Sequence, residues 1–115
     1  MAAVPAMLER DFQAQVVELA KLFGWRIAHF RPAPSAKGWR TPMIGHPGWP
    51  DLVLLRPPRL ILAELKSTSK VRPEQQEWLD QLGQVPGVES HVWRPADLDL
   101  IVDLLRPNRT REEAL

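Results

Sequence analysis

Two apolar runs of this chain carry acids where a strand interior should be greasy. Trp49-Pro50-Asp51-Leu52-Val53-Leu54-Leu55 is followed, after Arg56-Pro57-Pro58-Arg59, by Leu60-Ile61-Leu62-Ala63-Glu64-Leu65-Lys66. If the four intervening residues close a hairpin, Leu55 pairs with Leu60 and Val53 with Leu62. That register sets Asp51 directly across from Glu64 on one face. Opposed side chains have Cβ atoms roughly 5 Å apart, and two carboxylates at that separation repel. A divalent cation between them removes the repulsion, and Lys66 projects from the face of Glu64 by the two-residue strand period. Such a set suits phosphodiester hydrolysis. Magnesium held by carboxylates neutralises the scissile phosphate and acidifies a bound water, while a lysine holds that water or stabilises charge building on the phosphate.

Three further groups can join these. The backbone carbonyl of Leu65 lies within reach of the same ion. Glu9 can approach from the first helix, directly or through a water, and Gln75 from a later helix, to orient the lysine or touch the phosphate. Each residue taken singly also has a structural reading. Asp51 suits a turn after proline, Glu64 a solvent-facing alternation and Lys66 a surface strand end. Glu9 suits the first turn of a helix, and Gln75 a buried glutamine bonded to backbone. The joint placement on one face is what favours the chemistry.

The elements that must position them follow from periodicity. Pro5 suits a first helical turn, and Leu8, Phe12, Val16, Leu19 and Phe23 recur at helical spacing until Gly24, about five turns. Glu9 and Gln13 flank that stripe beside Val16 and Ala20. Residues 25–30 read as a strand with Trp25, Ile27 and His29 on one side. Residues 32–50 show no periodicity but hold five prolines, three glycines and two tryptophans, the signature of a functional loop that wraps a substrate. After the hairpin, a polar connection leads to Pro73, first residue of a helix running to Gly83 that places Gln75, Trp78, Leu79 and Leu82 on one face. Pro86-Gly87 turns the chain into a strand over residues 88–93. A last helix over residues 96–105 points Leu98, Ile101, Val102 and Leu105 inward. Residues 1–105 form one domain, and residues 106–115 a polar, fraying tail.

At 115 residues and 44% hydrophobic, the chain supports one core. Without cysteine there is neither a disulfide nor a thiolate metal site, so any metal is held by oxygen or imidazole. No secretory signal or membrane-length apolar run is evident, so an intracellular, cytoplasmic protein is expected. The net charge is +1, but 11 of the 15 basic residues are arginine, the side chain best shaped for phosphate. Arg26, Arg31, Lys37 and Arg40 fall in a stretch without acids between Glu18 and Asp51, whereas Asp97, Asp99 and Asp103 load the last helix. Arg31, Lys37, Trp39, Arg40 and Arg94 are the candidate nucleic-acid contacts, with Trp49 a second aromatic beside them. Trp25, Trp78 and Trp93 belong to the core. His29, His46 and His91 lack metal-ligand spacing and read as structural or substrate-contacting. Gly45-His46-Pro47-Gly48 precedes a strand rather than a helix, which argues against a phosphate loop.

Gly48-Trp49-Pro50-Asp51-Leu52, Glu64-Leu65-Lys66, and Pro73-Glu74-Gln75-Gln76-Glu77-Trp78-Leu79 with Leu82 together resemble the VRR-NUC domain of the PD-(D/E)XK nuclease superfamily. The likeness extends to Glu9-Arg10-Asp11-Phe12-Gln13, Gly24-Trp25 and Val92-Trp93-Arg94-Pro95, in the family's order. The resemblance implies an α/β, restriction-endonuclease-like mixed sheet flanked by helices, in the order α-β-β-β-α-β-α, and a magnesium- or manganese-dependent DNA endonuclease. It implies that Asp51 and Glu64 are the metal-binding acids, Lys66 the catalytic lysine, Gln75 the helix glutamine and Glu9 the first-helix acid. Small stand-alone members, often from phages, resemble Holliday-junction resolvases and act as homodimers on branched DNA. The family's usual serine before Pro-Glu-Gln is Arg72 here, which weakens the helix cap. Two other readings remain: a nucleic-acid-binding module on the same fold with weak or no catalysis, and a scaffold in which Asp51, Glu64 and Lys66 form a surface salt-bridge cluster.

Overall fold

The computed structural model describes residues 6–31, 33–40 and 43–107, with the side chains of residues 33, 35, 39 and 40 left aside. Pro5, the side chains of Trp39 and Arg40, and the tail from residue 108 onward therefore lie outside the described residues.

The first helix, α1, spans Glu9–Leu22 and starts later than periodicity predicts, because Leu8, its N-cap, is extended. Glu9 and Asp11 in the first turn and Lys21 in the last suit the helix dipole. Phe12, Val16 and Ala20, four residues apart, form its buried stripe. Gly24, at φ +82, turns the chain into β1 (Arg26–His29).

The segment read as a structureless loop contains a small antiparallel hairpin, β2 (Ala33–Ser35) with β3 (Gly38–Arg40). Its strands are three residues long and carry one proline and one glycine, too short for an alternation to be visible. Strands β4 (Leu52–Arg56) and β5 (Arg59–Leu65) then pair as their connecting turn dictates, Leu55 with Leu60 and Val53 with Leu62. Helix α2 (Pro73–Gly83) and strand β6 (Val88–Trp93) match the ranges read from sequence. The last helical segment opens as a single 3₁₀ turn, Pro95–Asp97, before α3 (Leu98–Leu105).

The main sheet has the order β1-β4-β5-β6, antiparallel except for the parallel pair β5–β6 across the α2 crossover. It is therefore mixed, within an α/β architecture. On one face, Phe12, Val16 and Ala20 of α1 and Ile101 and Leu105 of α3 meet Leu52, Leu54, Ile61, Ala63 and Leu65, all without exposed surface. Each such leucine or isoleucine contributes about 2 kcal/mol of burial. The alternating residues Leu62 and Glu64 face the other side, where α2 packs on β5 and β6. Among the described residues, no helix is long and apolar enough to cross a membrane.

The edge at the β4–β5 turn is closed by its arginines. Arg59 makes a bidentate pair with Glu89 at 2.8 and 2.9 Å and caps the carbonyl of Leu104 at 2.7 Å. Arg56 donates to the carbonyl of Phe23 at 2.8 Å, and both guanidinium groups lie over the ring of Trp25. The indole of Trp25 in turn donates to the carbonyl of Leu105 at 2.9 Å. The opposite edge, where β4 begins and β5 ends, is left for the acids.

Candidate active site

Among the described residues, the buried polar or charged side chains are Glu64, Lys66 and Gln75, exposed by 1%, 8% and 6%. Charged groups are almost never buried without a partner or a function, since each loses several kcal/mol of hydration. All three gather where β5 ends.

The hairpin register carries one step past β4. Leu52 pairs with Ala63, so Asp51 stands opposite Glu64, and Asp51 Oδ2 accepts the Leu65 N–H at 2.9 Å. The Asp51 carbonyl accepts the Phe30 N–H at 2.7 Å, fixing the residue from the β1 side as well. In an extended strand the N–H and C=O of one residue leave on the same edge, so the Leu65 carbonyl emerges on the edge that faces Asp51. Glu64 Oε2 accepts from Gln75 Nε2 at 2.9 Å and lies 3.3 Å from Lys66 Nζ. Its other oxygen, Oε1, is buried without a hydrogen-bond partner. An orphaned carboxylate oxygen beside a second carboxylate is a ready ligand position for a hard cation.

The electrostatics agree. Burial, then the negative charge of Asp51, pushes Glu64 up from 4.5 to about 7, against the pull of Lys66. Asp51 is also raised, chiefly by burial and further by the charge of Glu9, while the Leu65 N–H and Lys66 oppose the rise. Two neighbouring carboxyls whose pKa values are both raised are stabilised by a cation placed between them.

Gln75 is held at both ends of its amide. Its Oε1 accepts the N–H of Arg72 at 2.9 Å, the reciprocal half of a capping box, while the Gln75 N–H that a serine cap would take goes to the Arg72 carbonyl at 3.0 Å. Its Nε2 goes to Glu64 rather than to Lys66. Glu9 reaches the site from α1 and accepts the Ser67 N–H at 3.2 Å, beside Lys66. Among the described residues, no three His, Asp or Glu side chains converge as a cation-holding group. The donor set offered is Asp51, Glu64 and a backbone carbonyl, with Glu9 turned to Ser67.

Asp51 owes its position to a rivet between the preceding loop and α2. At Gly48, φ +100, a Cβ would lie 2.6 Å from the backbone carbonyl of Glu74, so only glycine lets the chain run this close to the helix that carries Gln75. Trp49 then packs edge-on to Trp78 at 4.9 Å, and the Trp78 indole donates to the Pro47 carbonyl at 3.0 Å. Trp78 is thus half-buried against the loop and not a core residue as its helical face suggests, because α2 abuts residues 46–49 on that side.

Of the candidate nucleic-acid contacts, Arg31 and Lys37 are exposed, and Arg31 directly follows the Phe30–Asp51 bond. The Arg94 guanidinium donates to the carbonyls of Ser67 and Ser69, a role its sequence position does not reveal. His29, on the strand beside Asp51, has a buried, unpartnered Nε2, and burial lowers its pKa by more than the Asp51 charge restores. A groove of about 230 Å³ runs along the outer side of α2, but the carboxylates of Glu74 and Glu77 line it, which does not suit a phosphate. Comparison with family models, with characterised proteins and with solved structures gave no match.

Proposed function

We propose that this chain is a VRR-NUC-like, divalent-metal-dependent endonuclease that hydrolyses phosphodiester bonds of branched or otherwise structured DNA. The observation that carries the reading is the meeting of Glu64, Lys66 and Gln75, all buried, with Asp51 at one sheet edge, with Glu64 Oε1 left unbonded. A buried salt bridge is a poor source of stability, so a surface-cluster reading leaves the burial of Glu64 and Lys66 without a cause.

Asp51 and Glu64, with the Leu65 carbonyl, would hold magnesium or manganese. When bound, the ion would neutralise the phosphate and lower the pKa of a coordinated water. The chain's own groups do the rest. Gln75 fixes Glu64 Oε2, which leaves Oε1 without a hydrogen-bond partner. Lys66 sits 3.3 Å from that carboxylate and places one positive charge where a pentacovalent phosphate gains negative charge. The Leu65 N–H orients Asp51, and Arg31 and Lys37 supply backbone contacts along the acid-free stretch before it. A single domain offers one such centre, so symmetric cutting of a four-way junction requires two copies, and a homodimer is part of the proposal.

The experiment is a cleavage panel of single-stranded, duplex, flap and four-way DNA with magnesium, with manganese and with chelator. Metal-dependent cutting, strongest on the branched substrates, supports the reading. Tight binding in chelator with no cutting under any divalent metal would instead make the chain a binding module.

A further inference from the structure

Lys66 is the last site residue placed by the sheet. Its N–H donates to the Trp93 carbonyl at 3.0 Å, and the strand ends one residue earlier, at Leu65. What holds its ammonium against Glu64 is therefore whatever holds residues 67–69. Two ties come from the start of α1: the Ser67 N–H donates to Glu9 Oε1 at 3.2 Å, and the Ser67 hydroxyl donates to the Met7 carbonyl. The third comes from the other side. Arg94 follows β6 directly, and its own N–H is fixed by Asp97 Oδ2 at 2.8 Å. From that anchored base its Nη1 bridges the carbonyls of Ser69 at 2.9 Å and Ser67 at 3.3 Å.

We infer that Arg94 is a positioning residue for Lys66, clamping the turn after β5 so that the buried ammonium cannot drift from Glu64. The inference rests on the nuclease reading for its catalytic consequence, but not for its structural one. A planar, permanently charged guanidinium suits the task, because its N–H groups have fixed directions and a charge-assisted bond to a carbonyl is stronger than a neutral one. Lys66 has little freedom to compensate on its own: it is 8% exposed, and a displacement of about 1 Å at a reacting group costs on the order of a hundredfold in rate. An arginine that merely gripped DNA would aim its guanidinium at phosphate rather than at backbone carbonyls beside the lysine.

The test compares wild type with Arg94→Ala and Arg94→Lys. Three measurements are made: single-turnover cleavage, DNA affinity with calcium in place of magnesium, and amide hydrogen exchange. Arg94→Ala should lower the cleavage rate about 10- to 100-fold with DNA affinity within threefold, and millimolar guanidinium should restore part of the rate. Arg94→Lys, which keeps the charge and most of the stem, should fall between. Exchange should quicken at the Lys66 and Ser67 amides in Arg94→Ala while the α1 and β4 amides stay as protected as in wild type. Weakened DNA binding with an unchanged cleavage rate would overturn the inference, as would unchanged protection at 66 and 67. The exchange result needs no catalysis: if wild type cuts nothing, the nuclease reading fails alone, and the clamp still stands or falls on those amides.

Discussion

Glu64 concentrates the proposed chemistry in one side chain. Among the described residues it is the most deeply buried charged group, and its pKa is pushed up to about 7. The metal-free native state therefore holds a proton that the unfolded chain, at 4.5, has already released. Stability is fully present below about pH 4.5 and is lost as pH rises through about 7, by up to about 3 kcal/mol. The raised Asp51 acts in the same direction. Urea unfolding in chelator should show wild type weaker at pH 8 than at pH 5, and Glu64→Gln should flatten that difference and be the more stable protein at pH 8. A wild type equally stable at both values would contradict the assigned environment. Glu64 and Gln75 were legible because each is polar at a position whose period demands a hydrophobe, and Lys66 because the two-residue strand period sets it on the face of Glu64. Arg94 was not, since the carbonyls it meets belong to a turn whose path no local pattern specifies.

At the scale of elements, the site depends on the fit of the loop before β4 to the first turn of α2. Gly48→Ala introduces a Cβ into the backbone of Glu74 and forces a side chain to φ +100. A loss of about 2 kcal/mol or more is expected, with a fall in Tm of about 10 °C. Thermal unfolding by circular dichroism reads it, and a Tm within 2 °C of wild type would show that the close approach does not exist. Much of this architecture follows from sequence. The four-residue turn sets the β4–β5 register, and Pro73 starts α2 because it cannot follow a helical turn. The hairpin β2–β3 escapes because three-residue strands with proline carry no detectable period. Trp78 misleads because a helix face says which residues are covered, not whether a sheet or a loop covers them.

At the scale of the whole molecule, the arginines of the β4–β5 turn differ in use from the cations that precede Asp51. Arg56 and Arg59 are consumed in closing the far edge around Trp25, whereas Lys21, Arg26, Arg31, Lys37 and Arg40 lie in the stretch that no acid interrupts. A net charge of +1 thus conceals an uneven distribution of charge along the chain. Arg31→Ala should reduce the slope of log affinity against log salt by about 1 without altering the fold. Arg59→Ala should leave that slope unchanged but lower Tm, because it strips Glu89 of a bidentate partner and uncaps Leu104. Fluorescence anisotropy across a salt series and thermal unfolding separate the two. The charge asymmetry was visible in the sequence, but the assignment of individual arginines was not, because Arg56 and Arg59 differ from Arg31 only in what the fold puts next to them.

The central claim is that Asp51 and Lys66 act together on a phosphate through one shared centre. Its most direct measurement is the single-turnover cleavage rate of a four-way junction, with magnesium or manganese, for wild type, Asp51→Ala and Lys66→Ala at matched DNA occupancy. Wild type should cut, and each variant should lose at least about a hundredfold while still binding the junction. Equal cutting by all three proteins would contradict the account.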